Sequence, residues 1–333
     1  MILPLAVTMG EPAGIGGEIT LRAWLDRRDD TPPFYLIDDP DRVGALARRL
    51  GWPAPIKSID RPEQAVTVFN EAFPIAPVGL SIRAQPGCPH SGDTPAIIGA
   101  IDAAVRDVRN GDAAALVTNP IHKDSLYRAG FRHPGHTEYL AELAGTSGSP
   151  IMMLVCPELR VVPVTIHMAL RQAINTLSSA AIVEAGRITV GALRRDFGLS
   201  APVLSVAGLN PHAGEAGALG REEIDIIEPA LVALRDAGIA VRGPLSPDTM
   251  FHAEARRTYD AALCMYHDQA LIPIKTIDFY GGVNVTLGLP FVRTSPDHGT
   301  AFAIAGRGVA RPESLIAALR LAADMAARRL DAA

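Results

Sequence analysis

Ala261-Ala262-Leu263-Cys264-Met265 is a short apolar run that stops abruptly at Tyr266-His267-Asp268-Gln269. A run of that length with polar residues on either side reads as a buried strand that delivers polar side chains at its carboxyl end. Beyond it the chain spaces Lys275, Asn284, Arg293, Asp297 and His298 among glycines, prolines and short apolar runs, the pattern of loops at a sheet edge. Each residue taken singly also fits a solvated loop. Their recurrence points to a site able to hold a metal and a phosphate together.

The same pattern occurs twice more. Val203 to Ala207 is an apolar run that ends in Gly208-Leu209-Asn210-Pro211-His212-Ala213-Gly214-Glu215, and the run Arg160 to Ile166 is followed directly by His167. His167, His212 and His267 therefore each stand at or shortly past a strand end, with helix-forming stretches between them. In an open parallel sheet, ligands bind outside the carboxyl ends of the strands, so the three can converge on one crevice. Three neutral imidazoles would leave coordination positions open on a divalent metal, as catalytic sites do. Asp248 and Asp268 are candidates to fix the imidazole tautomers. The chain has nine histidines, so a chance placement of three at strand ends stays open on the residues alone.

Outward from this region the chain alternates strand and helix. Leu3 to Thr8 reads as a first strand and Met9 to Glu18 as a glycine-rich loop that feeds a helix to about Leu25, exposing N–H groups to an anion. Phe34 to Ile37 follows, ending in Asp38-Asp39. That spacing is a weak dinucleotide fingerprint, since Gly14-Ile15-Gly16-Gly17-Glu18-Ile19 lacks the final small residue and Pro12 lengthens the turn. Residues 53 to 95 read as a proline-rich connector with edge strands such as Ala65 to Phe69. A helix capped by Thr94, with Pro95 first, buries Ile97, Ile98, Ile101, Val105 and Val108 and ends at Gly111. Ala113 to Thr118 is a strand, Asn119-Pro120 opens a short helix through Ala129, and Thr137 reads as the cap of a helix from Tyr139 to Ala144. His136 and Thr137 then lie where the helix dipole favours phosphate.

Ile151 to Val155 and Arg160 to Ile166 flank a turn and predict an antiparallel pair. Helices at Ser179 to Phe197 and Glu222 to Ala237, a strand at Ile239 to Arg242, a loop at Gly243 to Thr249 and a last helix after Pro312 complete the pattern. Leu315, Ile316, Leu319 and Met325 give that helix an apolar stripe. The alternation predicts an α/β fold with a parallel sheet covered by helices, and 333 residues allow two domains.

Composition narrows the partners. Hydrophobic residues make up 48% and charged residues 20%, with a net charge of -5 and a pI near 6.0. No basic face for nucleic acid and no polybasic membrane patch follow from such a balance, so the expected partner is small. No apolar run approaches the ~18 residues of a spanning helix, and the chain opens as a strand rather than a signal peptide, which predicts a cytoplasmic location. Cys88, Cys156 and Cys264 form no CxxC pair and are expected to be reduced and buried. Lys275 and Arg293 suit a phosphate, one as a mobile point charge and the other as a bidentate fork. Alternation in Val283-Asn284-Val285-Thr286-Leu287 aims Asn284 and Thr286 at one face.

Gly10-Glu11-Pro12-Ala13-Gly14-Ile15-Gly16, Pro134-Gly135-His136-Thr137-Glu138, Gly208 through Glu215, Tyr266-His267-Asp268-Gln269 and Val283 through Gly299 together resemble the 4-hydroxythreonine-4-phosphate dehydrogenase family of vitamin B6 biosynthesis. The similarity covers nearly the whole chain in order. It implies a two-domain α/β/α fold like those of isocitrate and isopropylmalate dehydrogenases, with the active site in an interdomain cleft. Expected domains are 1–130 with 285–333, and 131–284 with dimerisation elements. The resemblance further implies a homodimer whose subunits share each active site, NAD or NADP, and one divalent metal ion per subunit (Zn, Mg, Mn or Co). By motif match the metal ligands are His167, His212 and His267, and the substrate contacts are His136, Thr137, Lys275, Asn284 and Arg293. Asp248, Asp268 and Lys275 are the candidates for general base. Residues that hold the cofactor are not assigned.

Gly17-Glu18 stands where the family more often has Pro-Asp or Pro-Glu, a change expected to be tolerated in a backbone turn, and Ala303 stands at a position usually acidic. The implied reaction is oxidation of 4-phosphooxy-L-threonine. Rival readings are oxidation of 4-phosphorylated D-threonate or D-erythronate, a three-histidine metallohydrolase, and a non-catalytic phosphometabolite sensor.

Overall fold

A computed structural model describes residues 3–27, 31–128, 130–133, 135–146 and 148–331. Ala129 and Pro134, which the sequence reading placed in a helix end and a site motif, lie outside the described residues. The chain divides into two compact units, Met1–Pro150 with Leu289–Ala327, and Ile151–Gly288 with Arg328–Ala333. The chain is mixed α/β.

In chain order the first unit contains β1 (Leu5–Thr8), α1 (Gly16–Leu25), β2 (Phe34–Asp38), α2 (Pro40–Leu50), β3 (Ile56–Ser58), α3 (Gln64–Val68), β4 (Phe73–Pro77), α4 (Thr94–Asn110), β5 (Leu116–Thr118), α5 (Lys123–Arg128) and α6 (His136–Ala144). The second contributes β6 (Ile151–Cys156), β7 (Leu159–Pro163), α7 (Leu170–Thr176), α8 (Ser179–Arg195), β8 (Val203–Ala207), α9 (Glu228–Asp236), β9 (Ala240–Leu245), α10 (Ala253–Arg256), β10 (Ala261–Cys264), α11 (His267–Ile277) and β11 (Val283–Leu287). The chain then returns to the first unit with β12 (Arg293–Pro296) and the start of α12 (Glu313–Asp331).

Six strands of the first unit run parallel in the order β3-β4-β2-β1-β5-β12. Parallel strands need both faces covered, and β2 shows how. Tyr35 and Ile37 pack with Ile97 and Ile101 of α4, whereas Phe34 meets Phe69 and Phe73 edge-on at 5.0 and 6.2 Å. Leu140 of α6 belongs to the α4 cluster, which is why residues 131–150 fall in this unit and not, as expected from sequence, in the second. In the second unit the order is β11-β6-β7-β10-β8-β9; β7, β10, β8 and β9 are mutually parallel, while β6 is antiparallel to both its neighbours.

Several local expectations change. Ala65 to Phe69 is not an edge strand: Gln64 turns its carboxamide back onto the N–H groups of Asp60 and Arg61, starting α3 despite the β-branched Val66, Thr67 and Val68. Thr94 lies inside the helical stretch behind a 3-10 turn at Ser91–Asp93, and its hydroxyl caps nothing. Gly243 to Leu245, expected as loop, continues β9. The stretch after Tyr266, expected as loop, forms α11, which tolerates Pro273 in its interior. Cys156 and Cys264 are buried, but Cys88 is exposed, because the connector that carries it runs over the surface. Among the described residues no helix is long and apolar enough to cross a membrane.

The glycine loop is the largest departure. Residues 11–20 are all buried, and the loop spends its N–H groups internally: Ala13 on the Glu11 carboxylate, Gly14 on the Glu11 carbonyl and Ile15 on the Thr300 carbonyl. Its glycines permit close packing, since a Cβ on Gly14 would come 2.8 Å from the Thr300 oxygen. Asp38, the carboxylate of the weak fingerprint, is paired with Arg42. Neither feature fits a dinucleotide cradle.

Glu18 is more than a tolerated turn residue. It is 1% exposed in the first turn of α1, and its carboxylate accepts the N–H groups of Gly306 (2.8 Å) and Ala310 (3.1 Å). Glu18→Ala leaves two backbone donors without that acceptor, at about 1–3 kcal/mol each where they stay dry. The expected loss of stability, read by urea unfolding, is about 3 kcal/mol; a loss below ~0.5 kcal/mol would remove Glu18 as the anchor of this loop.

Candidate active site

Four adjacent parallel strands carry the second unit's polar cluster. In sheet order β7, β10, β8 and β9 are followed at their carboxyl ends by His167, His267, His212 and Asp248. Neighbouring strands lie about 4.8 Å apart, so the sheet itself spaces these side chains. Thr165 ties the first two strand ends together, its hydroxyl donating to the Met265 carbonyl at 2.8 Å. The rings of His167 and His267 stand 5.6 Å apart between centroids, beside a hollow of about 200 Å³ lined also by Ile166, Met168, Tyr266 and Asp268.

His267 opens α11, and its Nδ1 lies 2.7 Å from Asp268 Oδ1. That contact leaves Nε2 as the outward nitrogen, the orientation that a ligating imidazole takes from a carboxylate partner. His212 is reached differently. Past β8 the chain makes a left-handed turn in which His212, Ala213, Gly214, Glu215 and Ala216 all have φ between 44° and 78°. Left-handed backbone costs about 1–2 kcal/mol for each residue other than glycine, so the turn needs external support. Asp248 is exposed, receives the Ser246 hydroxyl at 2.6 Å, and is held below the usual carboxylate range by that bond, with His212 adding a smaller favourable charge.

The donors are of the right chemical type for a divalent metal, and His167 with His267 offers two on one face. They do not close on a single point: among the described residues no group of three His, Cys, Asp or Glu is placed to hold a metal ion.

A second cluster sits in the first unit. Arg293 opens β12 and is 4% exposed; its guanidinium donates to the Thr118 hydroxyl at the end of β5. Burial lowers its pKa to about 10, which still leaves it charged at neutral pH. His136 is the first residue of α6, with Gly135 rather than Thr137 at the cap position. Its Nε2 is buried without a hydrogen-bond partner, and burial, then Arg293 and Lys123, hold its pKa well below the ordinary histidine value. Lys123 packs against Gly135, where a Cβ would come 3.4 Å from its Cε. Two cations and the amino end of a helix thus surround a neutral imidazole whose buried Nε2 has no hydrogen-bond partner, an arrangement suited to an anionic oxygen.

Thr137 lies next to His136 in α6. Lys275 lies on α11, its Nζ 5.4 Å from the Phe279 ring centre. Asn284 and Thr286 alternate along β11 opposite Leu154 and Met152. His136 and Arg293 therefore belong to the first unit, and Lys275 and Asn284 to the second. Sequence reasoning did not place Lys123 or Thr118 at the first unit's cluster. The available signal was their position: Thr118 ends a strand and Lys123 opens the next helix.

The model of the pyridoxal phosphate biosynthetic protein PdxA matches residues 31–322. The chain belongs to the PdxA family. It is 55% identical over 338 residues to a 4-hydroxythreonine-4-phosphate dehydrogenase of Bradyrhizobium diazoefficiens, with 98% of each chain covered. The enzyme of that name from Caulobacter vibrioides is 52% identical over 331 residues, again with 98% of each covered. The crystal structure of a 4-hydroxythreonine-4-phosphate dehydrogenase from Klebsiella pneumoniae superposes with a TM-score of 0.86 at 38% identity, covering 97% of this chain and 99% of that one.

The environment of His136 has a measurable consequence. In the unfolded chain its pKa returns to about 6.5, so below that pH the unfolded state binds a proton that the folded state refuses. The His136 contribution to stability is complete above pH 6.5 and falls as the pH drops toward the lowered folded value. Urea unfolding of the wild type from pH 7.5 to 5.5 should lose stability more steeply than His136→Asn, the excess slope rising toward one proton at the acid end; parallel profiles would place the imidazole in contact with water.

Proposed function

We propose that this chain is an NAD(P)-dependent dehydrogenase that oxidises the C3 hydroxyl of 4-phosphooxy-L-threonine to a ketone. The product, 2-amino-3-oxo-4-phosphooxybutanoate, carries its carboxylate beta to that ketone and loses CO2 to give 3-amino-2-oxopropyl phosphate, a step of pyridoxal phosphate biosynthesis. Membership of the PdxA family over most of the chain is the observation that carries this reading.

The residues divide the work by chemistry. Arg293 and Lys123 supply fixed charge for the phosphate, and the partnerless Nε2 of His136 supplies a further hydrogen-bonding position. Thr137, Lys275 and Asn284 complete the substrate contacts on the family pattern. His167, His212 and His267 are the ligands assigned to a divalent metal, which when bound would lower the pKa of the reacting alcohol as it does that of water. Asp268 holds the His267 tautomer. Asp248, Asp268 and Lys275 are the candidates to accept the hydroxyl proton.

The histidines of one chain do not close on one point, which favours completion of the ligand set by a second copy, in a homodimer with its active sites in interdomain clefts. The negative charge and the lack of a basic face suit a small phosphorylated substrate and a cytoplasmic protein.

The test is absorbance at 340 nm with metal-reconstituted protein, NAD+ or NADP+, and 4-phosphooxy-L-threonine, with 4-phospho-D-threonate in parallel. Higher kcat/KM for the amino substrate is expected, and preference for the sugar acid would move the protein to catabolism. His212→Ala should lower metal-dependent kcat at least about 100-fold in a protein that unfolds at an unchanged midpoint. Retained turnover at saturating substrate would remove His212 from the site.

A further inference from the structure

The turn that presents His212 is strained at four of its five residues, and one buried carboxylate holds its entrance. Glu223, 2% exposed, accepts the backbone N–H groups of Leu209 and Asn210 on the same oxygen, each at 2.7 Å. Its other oxygen accepts the Asn210 side-chain amide at 2.9 Å, and the same amide reaches Glu222 at 2.7 Å. Glu223 begins a π-helical turn, Glu223–Ile227, that leads into α9, a widening that is common beside functional sites. The left-handed turn packs directly on this carboxylate, since a Cβ on Gly214 would come 2.5 Å from its Oε2.

The carbonyl side of the same segment is held from elsewhere. Gln269 donates to the Gly208 carbonyl at 2.7 Å and accepts the Met265 N–H at 2.6 Å. One carboxamide therefore joins the loop of His212 to the turn of His267. Glu223 sets the direction in which the chain leaves β8, and Gln269 sets how far that chain lies from the end of β10.

We propose that Glu223 is a positioning residue for the metal site, acting through the backbone of Leu209 and Asn210 to hold His212 in its left-handed turn. This rests on the assignment of His212 as a ligand. A carboxamide at 223 keeps the size of the side chain but turns a donor toward the Asn210 amide, so Glu223→Gln should disturb the direction of the turn more than the packing beneath it.

The experiment titrates the metal-free full-length protein with Co(II), reading affinity and the visible d–d spectrum, alongside thermal unfolding of the metal-free form. Wild type should bind one cobalt per subunit, and His212→Ala should lose that spectrum. Glu223→Gln should bind cobalt about 10–100-fold more weakly with altered band position or intensity. A residue that only stabilised the fold would move the unfolding midpoint and leave the spectrum of the folded protein unchanged. Asn210→Ser removes only the side-chain half of the same contact; it serves if Glu223→Gln does not fold, and should change the spectrum in the same direction. Wild-type affinity within twofold and an unchanged spectrum in the folded variants would overturn the proposal and leave the metal reading standing. If wild type binds no cobalt, or His212→Ala binds it equally well, the metal assignment fails and the proposal with it.

Discussion

Parallel pairing of β7, β10, β8 and β9 is the constraint on which the second unit's chemistry depends. Hydrogen-bonded strands have a fixed spacing, and parallel strands all turn at the same edge. His167, His267, His212 and Asp248 are therefore brought to one edge by backbone pairing before any side-chain contact is made. What the sheet cannot do is aim them. Aim comes from short polar contacts behind the edge: Asp268 on the His267 ring, Thr165 across two strand ends, and Glu223 and Gln269 on the two sides of the chain leading to His212.

The first unit solves a different problem with the same architecture. The phosphate position proposed there needs positive charge that is fixed in place, and a buried guanidinium is expensive to desolvate. Arg293 is accommodated because burial moves its pKa only to about 10, still above neutrality. His136 goes the other way and gives up its proton, which avoids a third positive charge beside Arg293 and Lys123. The cluster thus remains cationic without repelling itself apart.

Much of this was legible where the residues act locally. The run Val203 to Ala207 is the short apolar run of a buried strand, and β8 has those bounds; Gly111 ends α4 in a left-handed cap as its position after Asn110 requires. The strand-end positions of His167, His212 and His267 follow from the same short-range signals. Long-range effects were not legible. Thr118 and Arg293 meet because β12 returns to pair with β5, and no local pattern announces that return. Glu223 looks like an ordinary solvated helix residue until the left-handed turn is seen folding over it. Lys275 and the residues around it were expected in loops, since Pro273 normally argues against a helix, yet α11 forms around it.

The buried glycine loop bears on how such sequences are classified. A glycine-rich turn between a first strand and a first helix is commonly taken as a mark of nucleotide binding. Here Gly10, Gly14 and Gly16 have another purpose: they let three separate backbone segments, around Met9, Asn119 and Thr300, pass within touching distance. The same letters that elsewhere leave room for a ligand here leave room for the protein itself. A pattern search that counts glycines without asking what fills the space beside them would give this loop a function belonging to a different fold.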